Sequence, residues 1–188
     1  MKKGLLFVVS APAGTGKTTL VRMLLSEFHH VIESVSYTTR SPRPNEIAGR
    51  DYNFISFEEF EQKIAEGEFI EYAKVFGNYY GTSRKFIESQ EEKGKHVVLV
   101  IDTQGALLLK QELDAVFIFI SPPSVEELRS RLYRRKSETD DAIEHRLSWA
   151  EKEMALAEKY DYHIVNDNLK TAYDALRSIL IAEEHKNR

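Results

Sequence analysis

The sequence predicts a three-layer α/β fold with a parallel central sheet, an inserted mixed α/β flap and a helical lid. Three observations lead there. Short uninterrupted apolar runs recur along the chain, helical patterns alternate with them, and one stretch, residues 34–82, breaks the rhythm with turn formers and aromatics. Apolar runs without alternation fit strands buried on both faces, as in parallel sheets, and strands alternating with helices build layered α/β domains. A chain of 188 residues suits one such domain with insertions.

The elements follow in order. "LLFVV", beginning at Leu5, reads as the first buried strand. Lys2 and Lys3 before it, with Ala11-Pro12-Ala13 after it, imitate an export signal. The apolar run is shorter than the roughly 7 to 15 residues such a signal needs, so no export is expected. Leu20, Val21, Leu24, Leu25 and Phe28 recur at helical spacing, predicting an amphipathic helix over Thr18 to Phe28. Residues 34–82 contain "RSPRPNEIAGRDYNFI", a capping box at Ser56 and Glu59, and "GNYYGT", and read as a flap with its own small mixed sheet. "VVLVI" from Val97, "AVFIFI" from Ala115 and the weaker "HIVN" from His163 supply three more strands. Ser124 and Glu127 form a second capping box at the head of "SVEELRSRLYRR", where Leu128 and Leu132 share a face. "NLKTAYDALRSILIAEE" is the last helix. The expected organisation is therefore a core of residues 1–33, 83–123 and 160–188, a flap of 34–82, and a lid with its adjoining helix at 124–159.

Composition narrows the function. With no cysteine there is no disulfide framework, thiolate zinc site or thiol nucleophile, so a cytoplasmic location is expected. A net charge of −4 gives no overall attraction to nucleic acid or anionic membrane, so neither is an expected partner. No run approaches the roughly 18 apolar residues of a membrane span. Any anion site has to be built locally.

"SAPAGTGKTT" is such a site. Ala11, Gly16, Lys17 and Thr18 fill the pattern Gly-x-x-x-x-Gly-Lys-Ser/Thr between a strand and a helix, with Ala in the first place. Gly14 and Gly16 let successive backbone N–H groups turn inward around phosphate oxygens, and the helix N-terminus adds its dipole. Lys17 supplies charge for the β and γ phosphates, and Thr18 offers a hydroxyl to Mg²⁺. Residues Ala11, Pro12, Ala13, Gly14, Thr15, Gly16, Lys17, Thr18 and Thr19 are thus the expected ATP-binding segment.

"SVSYTTRSPRPNEIAGRDYNF", "FIEYAKVFGNYYGTS" and "VIDTQG", read with the phosphate loop and "IVND", closely resemble the guanylate kinase family over nearly the whole chain. The resemblance implies a P-loop kinase fold and transfer of the γ-phosphoryl of MgATP to GMP or dGMP, giving ADP and GDP for purine nucleotide metabolism and GMP recycling. It implies that Arg40 and Arg43 hold the acceptor phosphate, for which guanidinium forks are suited, with Tyr52, Tyr80 and Ser36 assisting. Glu71 would select the base, because guanine offers N1–H and a 2-amino group to an ionised carboxylate that only accepts, whereas adenine offers neither there. Thr82 resembles the family's O6-contacting hydroxyl, and Asp102 its second guanosine-side carboxylate. By spacing alone, Glu71 would lie on the outer face of an alternating strand.

The family places lid arginines in the basic run and beyond it, matched by Arg131, Arg135 and Arg146, which with Lys17 would neutralise the group in transit. Arg129, Arg134 and Lys136 complete that run, which alone also reads as a solvated face or a nucleic-acid patch. Asn166, Asp167 and Asn168 follow the last strand, and Asn168 is the residue expected near ATP. Two departures stand out. Lys136-Ser137 replaces the family's turn after the second lid arginine, and Val100 replaces the first aspartate of "DID", leaving Thr18 as the one named Mg²⁺ ligand. A scaffold module that has lost catalysis and a kinase for another small phosphate are the rival readings. The intact "GTGKT" opposes the first, and Glu71 with Thr82 opposes the second. Either a monomer or a homodimer fits the sequence.

Overall fold

The computed structural model describes residues 2–75, 77–135 and 139–187, with Arg135 described by its backbone alone. Strand β1 (Leu6–Ser10) is buried along its whole length, and it leads through a loop into α1 (Lys17–Glu27) and β2 (Val31–Glu33). The chain then leaves the main sheet for β3 (Tyr37–Thr38), β4 (Asn53–Phe54), α2 (Phe57–Ala65), β5 (Phe69–Val75) and β6 (Asn78–Ser83). It returns through α3 (Arg84–Glu92) to β7 (His96–Val100), α4 (Thr103–Leu109), β8 (Val116–Ser121), α5 (Val125–Arg135), α6 (Asp140–Met154), β9 (Tyr162–Val165) and α7 (Leu169–Glu184).

The main sheet has the order β2-β7-β1-β8-β9, and every pairing in it is parallel. Successive residues of each strand enter opposite layers, as the pleat requires. Phe7, Val9, Ile118 and Ile120 pack with Leu20 and Leu24 of α1 and with Leu176 and Leu180 of α7. Leu6, Val8, Phe117 and Phe119 pack on the other side with Ile87 of α3 and with Ala106 and Leu109 of α4. Three layers result, as the alternating runs predicted. Helices α5 and α6 close a separate cluster of Leu128, Leu132, Ile143, Leu147 and Ala150. Among the described residues no helix is long and apolar enough to cross a membrane.

The smaller sheet, ordered β4-β3-β6-β5, is mixed, since β3 pairs parallel with β4 and antiparallel with β6. Its core is aromatic. Phe60 of α2 is fully buried and stacks on Phe69 at 4.4 Å and on Tyr79 at 5.0 Å between ring centroids. A Cβ at Gly81 would lie 2.8 Å from the Phe60 ring, so β6 passes beneath that ring only because residue 81 has no side chain. The capping box of α2 is complete, with Glu59 N–H donating to Ser56 Oγ at 3.1 Å and Ser56 N–H donating to Glu59 Oε2 at 2.9 Å. At α5 the N–H of Glu127 donates to Ser124 Oγ, while the carboxylate of Glu127 accepts from Arg131.

Periodicity did not reveal β2, α3 or α4. The first is three residues long, and α3 buries only Ile87 and Glu91 among polar neighbours. Seven-residue α4 is too short to show a helical repeat. Register also shifts in β5: Phe69 pairs with Ser83 but Glu71 with Thr82, which leaves Ile70 as the extra residue of a β-bulge.

If the aromatic stack carries the smaller sheet, Phe60→Ala should lower stability by about 3–5 kcal/mol in urea denaturation, the range for emptying a buried aromatic site. A loss below about 1 kcal/mol would show that the sheet is held some other way.

Candidate active site

The C-terminal ends of β1, β7 and β9 converge, and there the chain delivers the phosphate loop, Asp102 and Asn166, the edge where parallel α/β sheets bind ligands. Gly14 and Gly16 have φ of 90° and 97°, in the left-handed region. Space forbids a side chain as well. A Cβ at Gly14 would meet Leu132 Cδ2 at 2.8 Å, and one at Gly16 would meet Asn166 Nδ2 at 2.6 Å. The loop is tied down by Thr15, whose hydroxyl donates to the Pro12 carbonyl at 2.7 Å and whose carbonyl accepts from Asn166 Nδ2 at 2.7 Å. Ala11 is buried within the α1/α7 core, so the methyl that departs from the glycine pattern is a packing group. Ala13, Thr18 and Thr19 are exposed.

Lys17 opens α1, and its Nζ makes a long 3.5 Å contact with the carbonyl of Ile101. Burial pulls its pKa below the ordinary lysine value, while the carboxylates of Glu153, Asp102 and Glu33 act in the opposite direction. Glu33 and Glu153 are themselves raised, chiefly by burial. No sequence motif marks Glu153. It accepts from Thr103 Oγ1 at 3.2 Å, and it lies seven residues beyond Arg146, on the same face of α6, a spacing that could have marked it. Val100 packs against the α1/α7 core.

On the facing side, the bulge decides which way Glu71 points. Phe69 packs inward on Phe60. Were Ile70 paired as an ordinary member of the ladder, Glu71 would share the face of Phe69 by strict alternation. Because Ile70 is bulged out of the pairing, Glu71 stands opposite Thr82, whose hydroxyl donates to Glu71 Oε1 at 2.6 Å. Glu71 Oε2 lies where a Cβ at Gly105 would be 3.1 Å away, against the first turn of α4. Asp102 caps that turn, accepting from the Gly105 N–H at 2.8 Å. Burial raises the Glu71 carboxyl to about 7, with Asp102 adding to the rise and the Thr82 hydrogen bond opposing it. The ionised form that the sequence reading assigns to Glu71 is therefore disfavoured by desolvation in the empty pocket. Nearby, the rings of Tyr52 and Tyr80 are 5.9 Å apart, and the Arg40 guanidinium lies 5.3 Å from the Tyr52 centroid. Arg40 is already paired with Glu46, and Arg43 donates its backbone N–H to the same carboxylate. Ser36 is half-buried between β2 and β3, with its carbonyl accepting from the Asn53 N–H.

Arg131 approaches the phosphate loop, donating to Glu127 at 2.8 Å and to the Asn166 carbonyl at 3.0 Å. A cavity of about 270 Å³ is lined by Gly14, Thr15, Gly16, Arg131, Asn166 and also Arg134, which in sequence reads only as part of a basic run. Arg129 is paired with Glu144, and Arg131 and Arg134 with Glu127, so acidic partners break up the basic run. Arg146 is half-buried on α6. The Arg135 side chain and the Lys136-Ser137 departure lie outside the described residues. Asn168 caps α7 through its side chain, which accepts from the Thr171 N–H at 3.1 Å, and Asn166 is the member of "NDN" that touches the loop.

Comparison with known proteins agrees with this geometry. A family model described as guanylate kinase matches residues 3–183. The guanylate kinase of Protochlamydia amoebophila (strain UWE25) is 58% identical over 185 residues, spanning 98% of this chain and 94% of the relative. That of Chlamydia felis (strain Fe/C-56) is 51% identical over 183 residues, spanning 97% and 90%. Among solved structures, the guanylate kinase from Anaplasma phagocytophilum superposes with a TM-score of 0.82 at 39% identity, covering 99% of this chain and 89% of that one. Shikimate kinase from Bacteroides thetaiotaomicron shares the fold at a TM-score of 0.50 and 13% identity, over 94% of this chain and 98% of that one.

The Glu71 environment has a measurable consequence without any ligand. Its folded-state pKa, about 7, lies above its ordinary value of 4.5. Burial of the carboxyl therefore adds no penalty while both states are protonated, and weighs against folding as pH rises through about 7. Glu71→Gln should be as stable as the parent near pH 4.5 and more stable by about 1–3 kcal/mol above pH 7, read by urea denaturation across that range. An offset independent of pH would show that Glu71 does not titrate there.

Proposed function

Because the chain belongs to the guanylate kinase family, it is an ATP:GMP phosphotransferase, and we propose that two facing halves of the described site divide the work. The donor half is the loop Ala11–Thr19, whose inward amides, α1 dipole and Lys17 hold the triphosphate of ATP. The acceptor half is Ser36, Arg40, Arg43, Tyr52, Glu71, Tyr80, Thr82 and Asp102. The observation that carries this reading is the Glu71–Thr82 pair, one buried carboxyl and one hydroxyl set side by side by the bulge.

Guanine binding would rearrange two protons' worth of hydrogen bonding. The N1–H and 2-amino donors favour the ionised form of Glu71, offsetting the burial that raises its pKa. Thr82 is then released to turn its hydroxyl from Glu71 toward the O6 acceptor. Adenine, with a lone pair at N1, would leave Glu71 without donors, a mismatch that can cost a factor of roughly 10⁴.

The acceptor oxygen is already an anion, so no strong base is needed. Catalysis rests on in-line positioning and on charge neutralisation by Lys17, Arg131, Arg135 and Arg146. Thr18, exposed at the head of α1 beside Lys17, has the hard oxygen donor that suits Mg²⁺, which when bound supplies charge neutralisation across the β and γ phosphates. Closure of the 34–82 flap and the 124–159 lid would exclude water as a competing acceptor.

In a coupled ADP-release assay, turnover with GMP should exceed that with AMP, CMP or UMP by at least ~10² at matched concentrations, and Glu71→Gln should erase most of that preference. Equal use of AMP by the parent would remove Glu71 from base selection. Lys17→Met should lose turnover by ~10³ while retaining GMP affinity in calorimetry, since its charge acts on the donor side. Unchanged turnover would take Lys17 out of the mechanism.

A further inference from the structure

A carboxylate sits among the residues proposed to hold a phosphate. Arg43-Pro44-Asn45-Glu46 is a tight turn in which the Glu46 N–H donates to the Arg43 carbonyl at 3.1 Å and Asn45 takes a φ of 77°. Proline at the second position and asparagine with positive φ at the third suit a type II turn. The turn folds the Glu46 side chain back over its own start. There its Oε2 accepts from the Arg43 N–H at 2.8 Å, and its two oxygens accept from Arg40 Nη1 and Nη2 at 2.9 Å each.

Which N–H groups this leaves is a matter of guanidinium geometry. Arg40 has five coplanar N–H donors. Glu46 takes one from each terminal nitrogen, and the Ser41 carbonyl takes another from Nη1 at 2.7 Å. The remaining two, on Nε and Nη2, point the same way along the side edge, which is itself a fork for an oxyanion. Tyr52 and Phe54 fix the guanidinium against their rings at 5.3 Å and 5.8 Å.

We propose that Glu46 is a positioning residue for the acceptor phosphate: by occupying the end of the Arg40 guanidinium it presents the Nε/Nη2 edge to GMP. The inference rests on the reading of Arg40 as a phosphate ligand. Glu46 does not act as a competitor that the phosphate must displace, because it is also held by the Arg43 N–H and half-buried, with its side chain 19% exposed. Displacing it would strand a carboxylate and an amide together.

The test is calorimetric titration of GMP and of guanosine, which lacks the phosphate, into the parent, Glu46→Gln and Arg40→Ala. Glu46→Gln should weaken GMP roughly tenfold, as loss of a charge-assisted fork implies, and leave guanosine unchanged. In steady state the KM for GMP should rise in step, with kcat and the KM for ATP unaltered. Arg40→Ala should abolish most of the difference between GMP and guanosine. If Glu46→Gln binds GMP as well as the parent, or more tightly, while Arg40→Ala loses it, the role given to Glu46 is overturned and that of Arg40 stands. Equal weakening of GMP and guanosine by Glu46→Gln would mean a loosened loop and would also overturn it. An Arg40→Ala protein that binds GMP normally would instead overturn the underlying reading.

Discussion

A positive charge removed from water has to be compensated, and the site is organised around one. Lys17 faces Glu153 from α6, Asp102 from the β7–α4 junction and Glu33 from β2, so three separate parts of the chain supply its counter-charge. None of the three sits at hydrogen-bonding distance in a dedicated pair, and the nearest partner recorded for the ammonium is a carbonyl 3.5 Å away. The charge is thus held by a field more than by a contact. Such an arrangement leaves the ammonium free to engage an incoming polyanion without first breaking a salt bridge, while the surrounding carboxylates oppose the loss of its proton that burial favours.

The donor and acceptor halves proposed for the site are pre-organised by different means. On the donor side the work falls to the backbone, with two left-handed glycines, an asparagine clamp from beyond β9 and a methyl at Ala11 that belongs to the core. On the acceptor side it falls to side chains that are already paired with one another, Thr82 with Glu71 and Glu46 with Arg40. Polar groups buried without partners are costly, so a pocket for a polar ligand has to satisfy itself when empty. A pairing along the end of a guanidinium does so and still leaves a second edge for use.

The layered core and the phosphate loop were legible in the sequence because each has a local signature: the runs at Leu5, Val97 and Ala115, and the glycine-lysine pattern. The flap was legible as a break in rhythm. What escaped depends on contacts between residues far apart in the chain. Glu153 has meaning only beside Thr103 and Lys17, Arg134 only beside Gly14, and Asn166 only beside Thr15. The charge state of Glu71 escaped for a related reason, since desolvation is set by everything around a carboxyl and not by its neighbours in sequence. Spacing alone could not give its orientation, because alternation assumes an unbroken ladder.

That broken ladder has a wider consequence. Which face Glu71 takes is decided by how Ile70 is accommodated: as an unpaired residue it leaves Glu71 opposite Thr82, and as an ordinary member of the ladder it would turn the same carboxyl toward the aromatic core. The information is stored in the register of two strands as well as in the identity of their side chains. A lineage could exchange Glu71 for another acceptor and keep the pocket, or lose Ile70 outright and keep the direction, since the glutamate would then follow Phe69 directly on the opposite face. The flap is therefore tolerant of spelling and intolerant of slippage.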